Sequence, residues 1–376
     1  MKQYLYALAV FSGTIIGVGL FGLPYVASKA GFVTVLFYFI FVTIILLITQ
    51  LALGEVCLRT KESHRLPGYA GIYLGKKWKK ISVVSNSIGL FGANLAYIIV
   101  GGGFLYNLLN PMFGGPEIAY ILIFFFSGAL ITYLGSKTIA KSEFFSLLLF
   151  FSVLIFLLIK GFNQVDYSNF LTFDYHYFFM PYGVILFSLA GMSVIPEARE
   201  ILKEKGKMLK SVIGVGIFIP IITYLTFIFL VLGISGGQTT EDALTGLKLV
   251  LGNNVIIPGF IFGIITTFTS YLTISLTLKK VFWYDLKFSH FNSWAIATFI
   301  PIVLYIVGIK DFIKIVSFTG AVTLGIDVIT TFLIYLKAKK NSQRIPEYKI
   351  NLPKIIVYSL IILFLIGVAG ELISIY

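Results

Sequence analysis

The sequence predicts an all-α polytopic membrane protein with eleven spans, and three observations predict it. Of 376 residues, 58% are hydrophobic and 12% charged, with a mean hydropathy of +0.96. A soluble domain has about a quarter of its residues charged. Second, the apolar residues fall into runs close to the about 20 that a helix needs to cross a hydrocarbon core. The ~10-residue alternating segments of a transmembrane barrel do not occur. Third, the basic residues follow one register. With the N-terminus inside, only Lys29, Lys160, Lys248, Lys310 and Lys314 of the 29 fall in outside connections.

The eleven runs cover residues 3–29, 32–56, 81–109, 118–135, 143–160, 177–197, 211–234, 253–278, 291–309, 312–336 and 354–376. Span 1 has only Lys2 before its apolar run and no small-residue cleavage pattern, so it reads as a retained helix. Its middle, GTIIGVGLFGLPY from Gly13 to Tyr25, holds four glycines and a proline. Span 2 closes near Glu55, which is expected to cap its helix or pair with a loop cation. The connection 59–80 contains LPGYAGIYLG between basic ends. It reads either as a short interfacial helix with Leu66, Tyr69, Ile72 and Tyr73 toward lipid, or as a plain basic loop. Span 5 carries Lys141 and Lys160 only at its ends.

Span 6 repeats the feature of span 1. Gly191-Met-Ser-Val-Ile-Pro196 matches Gly19-Leu-Phe-Gly-Leu-Pro24, each glycine five residues before a proline. The two spans run in opposite directions, which is the arrangement of a 5+5 inverted repeat. The chain then reads as one transmembrane domain, 1–376, with repeat one at 1–160, repeat two at 177–337 and an extra helix at 354–376. Gly13-x-x-x-Gly17 also fits a helix-packing pattern, but packing does not need a proline in both copies. Broken helices free backbone N–H and C=O groups that are costly in lipid unless something satisfies them. A zwitterion or a cation at the midplane does so, with amides for a carboxylate and carbonyls for an ammonium group or Na⁺.

Composition excludes several functions. The net charge of +13 is spread over inside loops beside anionic headgroups, so no nucleic-acid partner is expected. Cys57 is the lone cysteine, and His64, His176 and His290 lie far apart, so no metal or catalytic spacing forms and no enzyme is expected. A channel predicts pore-lining repeats in place of paired inverted breaks. No G-x-x-x-x-G-K-[ST] loop is present, so any transport is gradient-driven, with no cofactor beyond co-transported Na⁺ or H⁺.

GTIIGVGLFGLP resembles the first-helix motif of the amino acid–polyamine–organocation superfamily, and FSLAGMSVIPEAREI at 187–201 resembles its sixth-helix pattern. ALGEVCLRT at 52–60 and AYIIVGGGFLYNLL at 96–109 look like the ends of its second and third helices. The count of spans and the IIG form are most similar to the amino acid/auxin permease branch, which includes aromatic amino acid permeases. The resemblance implies the leucine-transporter fold and import of a neutral, possibly aromatic, L-amino acid by alternating access across the cell membrane. A sensor on the same fold, or a permease for another amine or organic solute, is the alternative. The N-terminus would be cytoplasmic and the C-terminus outside.

By the same resemblance, the substrate ammonium meets carbonyls near Ile16, Phe187 and Ala190, and its carboxylate meets amides of Val18, Gly19 and Leu20. Asn94, Tyr97, Ser188, Met192 and Thr319 are side-chain selectivity candidates. Ala190 stands where some relatives have a polar or acidic residue, which favours a neutral substrate. A candidate Na⁺ site joins the Gly13 and Ile16 carbonyls to the Thr266 carbonyl and the Thr269 and Ser270 hydroxyls. Against it, Ser and Thr commonly bond back to their own helix. Asp327, inside span 10, is the proton-coupling candidate, or else accepts hydrogen bonds from Thr323 or Thr330. Asp285 is read as half of an inner gate with a base on another helix.

Overall fold

The computed structural model describes residues 2–135 and 139–374, which form helices and connections without a strand. Ten of its helices are long and apolar enough to cross a bilayer. The bent pair Lys2–Ile15 and Gly19–Ala30, 43° apart, makes an eleventh span. Spans 2 to 5 are Phe32–Arg59, Lys76–Phe113, Glu117–Leu134 and Ile139–Gly161. Span 6 is Met180–Ser188 and Ile195–Leu202 with a 3₁₀ turn between them. Spans 7 to 9 are Leu209–Ser235, Asn253–Lys280 and His290–Val307. Span 10 runs Phe312–Phe318, a π-helical stretch Thr319–Leu324 and Gly325–Lys340, and span 11 is Lys354–Ser374. The inside placement of Lys137 and the side chain of Lys141 lie outside the described residues.

Both predicted breaks exist, but the two motifs do different work. In span 1 the chain leaves the helix over 16–18 and resumes at Gly19, so Pro24 lies inside the second half-helix, a full turn past the restart. There it withdraws a donor from the Leu20 carbonyl and is not the residue that restarts the helix. In span 6, Pro196 sits at the first turn of Ile195–Leu202, where its missing N–H costs nothing. Phe21 anchors the outer half of span 1, its ring edge-on to Phe104 of span 3 at 4.7 Å and close to Phe227 of span 7.

The connection 59–80 contains the helix Leu66–Leu74, yet its face is not turned to lipid. Leu66, Tyr69 and Tyr73 are buried and only Ile72 is exposed. Three aromatic or branched residues per two turns gain as much from the sides of spans 3 and 10 as from acyl chains, and hydropathy alone does not separate the two.

Glu55 pairs on its own helix. Its carboxylate accepts from Arg59 Nε at 2.8 Å and from the Ile350 amide at 2.6 Å. The 341–353 connection is tied to the same helix end, because Gln343 and Arg344 donate their amides to Arg59 O and Tyr348 Oη donates to Leu51 O. Removing one partner of a buried pair strands the other charge, at about 3–5 kcal/mol. Glu55→Ala is therefore expected to lower the thermal midpoint of the detergent-purified protein by several degrees. A midpoint equal to wild type would show that this pair does not hold the connection in place.

Candidate functional site

The two breaks face each other across a cavity whose lining residues are all buried or half-buried. In span 1, Ile16 N donates to Ser12 O at 2.8 Å and Gly17 N to Ile15 O at 2.7 Å, and Leu20 N and Phe21 N bond back to Gly17 and Val18 carbonyls. Among the described residues, the amides of Val18 and Gly19 and the carbonyl of Ile16 have no partner. Leu20 differs from the sequence expectation, since its N–H is committed to Gly17 O at 3.2 Å. In span 6 the Phe187 carbonyl accepts from Ala190 N at 3.1 Å, while the Ala190 carbonyl has no donor among the described residues. The arrangement offers two donors and two or three acceptors at the two breaks, which suits a zwitterion.

Two side chains that the sequence reading missed hold the breaks in place. Tyr224 of span 7, fully buried, directs its hydroxyl at the carbonyls of both Ile15 and Ser188, the latter at 2.8 Å. Its single proton is shared between the two interrupted helices. Gln50 of span 2 donates Nε2 to Leu189 O at 3.0 Å. A lone Gln in a long apolar run was a usable signal; one tyrosine among 22 was not.

Gly19 sits against span 6 so closely that a Cβ there would lie 2.4 Å from Ser188 Oγ and 2.9 Å from its Cα. A Cβ on Gly17 would lie 2.2 Å from Tyr97 Oη. Gly19 is required by the close approach of span 6, and Gly17 by that of Tyr97 on span 3.

Of the predicted residues, Gly19, Tyr97, Phe187, Ala190, Met192, Thr319 and Asp327 line the cavity. Five do not: Ile16, Val18 and Leu20 lie in the span 1 break beside lining residues Ile15, Gly17 and Gly19, and Ser188 and Asn94 are engaged elsewhere. Ser188 Oγ donates back to Val184 O at 2.7 Å. Asn94 points toward span 8, where its Oδ1 meets Ser275 Oγ at 3.4 Å. The resemblance makes both selectivity candidates, but Ser188 bonds back to its own helix and the Asn94 oxygen is taken by Ser275 of span 8.

The residues of the candidate cation site are brought only partly together. Ser270 Oγ reaches Gly13 O at 3.5 Å across spans 8 and 1. Thr269 Oγ1 instead bonds the Thr266 carbonyl at 3.2 Å, the back-bonding that Thr-rich helices favour. Asp327 accepts from neither Thr323 nor Thr330, which donate to Thr319 O and Ile326 O. Its partner is Asn86 of span 3, with Nδ2 2.9 Å from Oδ2.

At the end of the cavity that carries Arg65, ionic side chains close it. Arg65 lies 3.0 Å from Glu197 and 3.1 Å from Glu200, and Lys280 pairs with Glu197. Burial works against the Arg65 charge, but the two carboxylates outweigh it and hold the guanidinium protonated. Asp285, the expected half of an inner gate, turns its carboxylate to His64 of the 59–66 segment at 3.5 Å, and its backbone carbonyl accepts from Lys79 of span 3; Glu197 forms a second ionic cluster beside it. A Glu in the P-E run of span 6 points to this position, but its partners come from distant segments.

A profile of the tryptophan/tyrosine permease family matches residues 1–373. The low affinity tryptophan permease of Escherichia coli strain K12 is 25% identical over 89% of this chain and 87% of that protein. The tyrosine-specific transport system 1 of Haemophilus influenzae is 25% identical over 95% and 94%. Glutamine transporter 2 of Aliivibrio fischeri is also 25% identical, but the match covers 60% of this chain and only 59% of that protein. Among solved structures, MhsT in complex with L-phenylalanine superposes with a TM-score of 0.69 at 17% identity, covering 99% of this chain and 98% of that one. That likeness shows the leucine-transporter fold.

If Tyr224 aligns the breaks, Tyr224→Phe removes the side-chain donor of the Ser188 carbonyl and leaves the Ile15 carbonyl with Gly17 N alone, at about 1–3 kcal/mol. The expected result is a lowered thermal midpoint together with weaker substrate binding, although Tyr224 does not line the cavity. Unchanged values of both would mean that the hydroxyl is incidental.

Proposed function

The chain belongs to the tryptophan/tyrosine permease family, and from that premise we propose that it imports an aromatic L-amino acid by alternating access across the cell membrane. The observation that carries this reading is the pair of facing breaks, with the free Val18 and Gly19 amides opposite free carbonyls at Ile16 and Ala190. The carboxylate takes the amides and the ammonium takes the carbonyls. Tyr97, Phe187, Met192 and Thr319 then surround the side chain, and no acid lies at position 190 to ask for a cationic one. The Arg65–Glu197–Lys280 cluster is the inner gate in this reading. The many lysines near it support a cytoplasmic N-terminus and an outside C-terminus.

For the driving ion we propose Na⁺ between Gly13, Ile16 and the span 8 hydroxyls, supported by the approach of Ser270 Oγ to Gly13 O. In that reading Thr269 exchanges its bond to Thr266 O for the cation. Proton coupling through Asp327 is the second reading, favoured by a carboxyl buried inside a span.

Thermal shift of the purified protein against the twenty amino acids, in Na⁺ and in choline buffer, tests substrate and ion together. A ligand at 100 times its Kd stabilises by about 2.7 kcal/mol. Tryptophan or tyrosine is expected to raise the midpoint, and only in Na⁺; Ser270→Ala is expected to abolish the Na⁺ requirement or the binding. Equal shifts in choline that grow on acidification would transfer the coupling to Asp327. Shifts with non-aromatic amino acids alone would overturn the substrate class.

A further inference from the structure

Tryptophan and tyrosine share one feature that phenylalanine lacks, a single hydrogen-bond donor on the far part of the ring. A site that selects them against phenylalanine needs an acceptor with no other partner in a place that water does not fill. Asp327 is such a group. It is 2% exposed and lines the same cavity as Gly19 and Phe187. One carboxylate oxygen, Oδ2, accepts from Asn86 Nδ2 at 2.9 Å, whereas Oδ1 is buried without a hydrogen-bond partner. The Ser85 hydroxyl also comes within hydrogen-bonding reach of the carboxylate, but its one proton is directed to Thr323 O at 2.9 Å. Arg65, the cation on this cavity, is tied to Glu197 and Glu200.

Leaving a buried carboxylate oxygen without a donor costs free energy that a ligand recovers by supplying one. Beside Asp327 the cavity wall is built from the small residues Gly89 and Ala93 of span 3, with Thr323 and Thr319 of span 10 packed against Gly89. Asn86 fixes the carboxylate plane and thereby the direction of the free oxygen.

We infer that Asp327 Oδ1 accepts the indole N–H or phenol O–H of the substrate ring and sets the preference for tryptophan and tyrosine over phenylalanine, with Asn86 as its positioning residue. This rests on the transporter reading above and adds the residue that discriminates within it. A site built around a ring donor rejects the ring that lacks it far more strongly than an apolar slot can, because the polar group is then left unpaired.

The test is equilibrium binding of tryptophan, tyrosine and phenylalanine to the full chain, wild type and Asp327→Asn, with 1-methyltryptophan and O-methyltyrosine on wild type. In the variant, Asn86 Nδ2 retains the new amide oxygen, so an NH₂ group faces the cavity. Indole N–H is a donor only and meets a donor, so tryptophan affinity is expected to fall at least tenfold. Tyrosine is expected to fall less, since its oxygen also accepts, and phenylalanine to change less than threefold. On wild type, both methylated ligands are expected to lose at least tenfold against their parents, a result that does not depend on the variant folding. An equal loss for all three amino acids in Asp327→Asn would place the carboxylate at the shared ammonium group or in ion coupling and overturn the inference. Methylated ligands that bind as tightly as their parents would overturn it too. Wild-type protein that binds none of the three overturns the transporter reading and this assignment together.

Discussion

Every backbone polar group inside a bilayer must find its partner within the protein, and the architecture of this chain follows from that constraint. Nine spans meet it as continuous helices, or helices with a single π-helical stretch. Two do not, and around them the protein assembles its scarcest resource, polar side chains buried in an apolar interior. Tyr224 and Gln50 bond carbonyls of the interrupted helices at Ile15, Ser188 and Leu189. What is left over lies at the two breaks, beside the cavity. The candidate site is therefore defined by subtraction, as the groups that no protein neighbour reaches.

The ionic side chains obey a different rule. Glu197, Glu200, Arg65 and Lys280 gather at one end of the cavity, where water is near and a pair can separate without stranding a bare charge in lipid. A gate made of ion pairs can open there at modest cost. Asp327 has no ionic companion; Asn86 holds one of its oxygens, and the other is buried at the cavity wall without a hydrogen-bond partner.

The sequence made the spans legible because a run of about 20 apolar residues has few other uses. The breaks were also legible, because glycine and proline together in such a run contradict the need for helix. Which residue restarts each helix was not. Pro24 and Pro196 look equivalent at five residues past a glycine, yet only Pro196 begins a half-helix. Local sequence states that a break exists, and contacts from other spans decide its limits. The same reason hid Tyr224, and it misdirected Asn94, whose amide is taken up by Ser275 of a span some 180 residues away. The helix 66–74 was visible but its burial was not, since a face that suits lipid also suits the flank of another helix.

The glycines of span 1 admitted two readings, close packing or close approach of a ligand, and the geometry shows that these are one requirement. Gly19 has no room for a Cβ because Ser188 of the opposite break lies against it. That contact brings the two interrupted helices together at the level where both have free groups. Had either half-helix carried a side chain there, the breaks would stand apart and the amides of Val18 and Gly19 would face a gap too wide for one small molecule to bridge. Packing at the glycine is what sets the neighbouring backbone groups of the candidate site opposite one another. A substitution at Gly19 would disturb both together, and for that reason the chemistry of recognition is better questioned at Asp327, where one atom can be changed while the approach of the helices is left as it is.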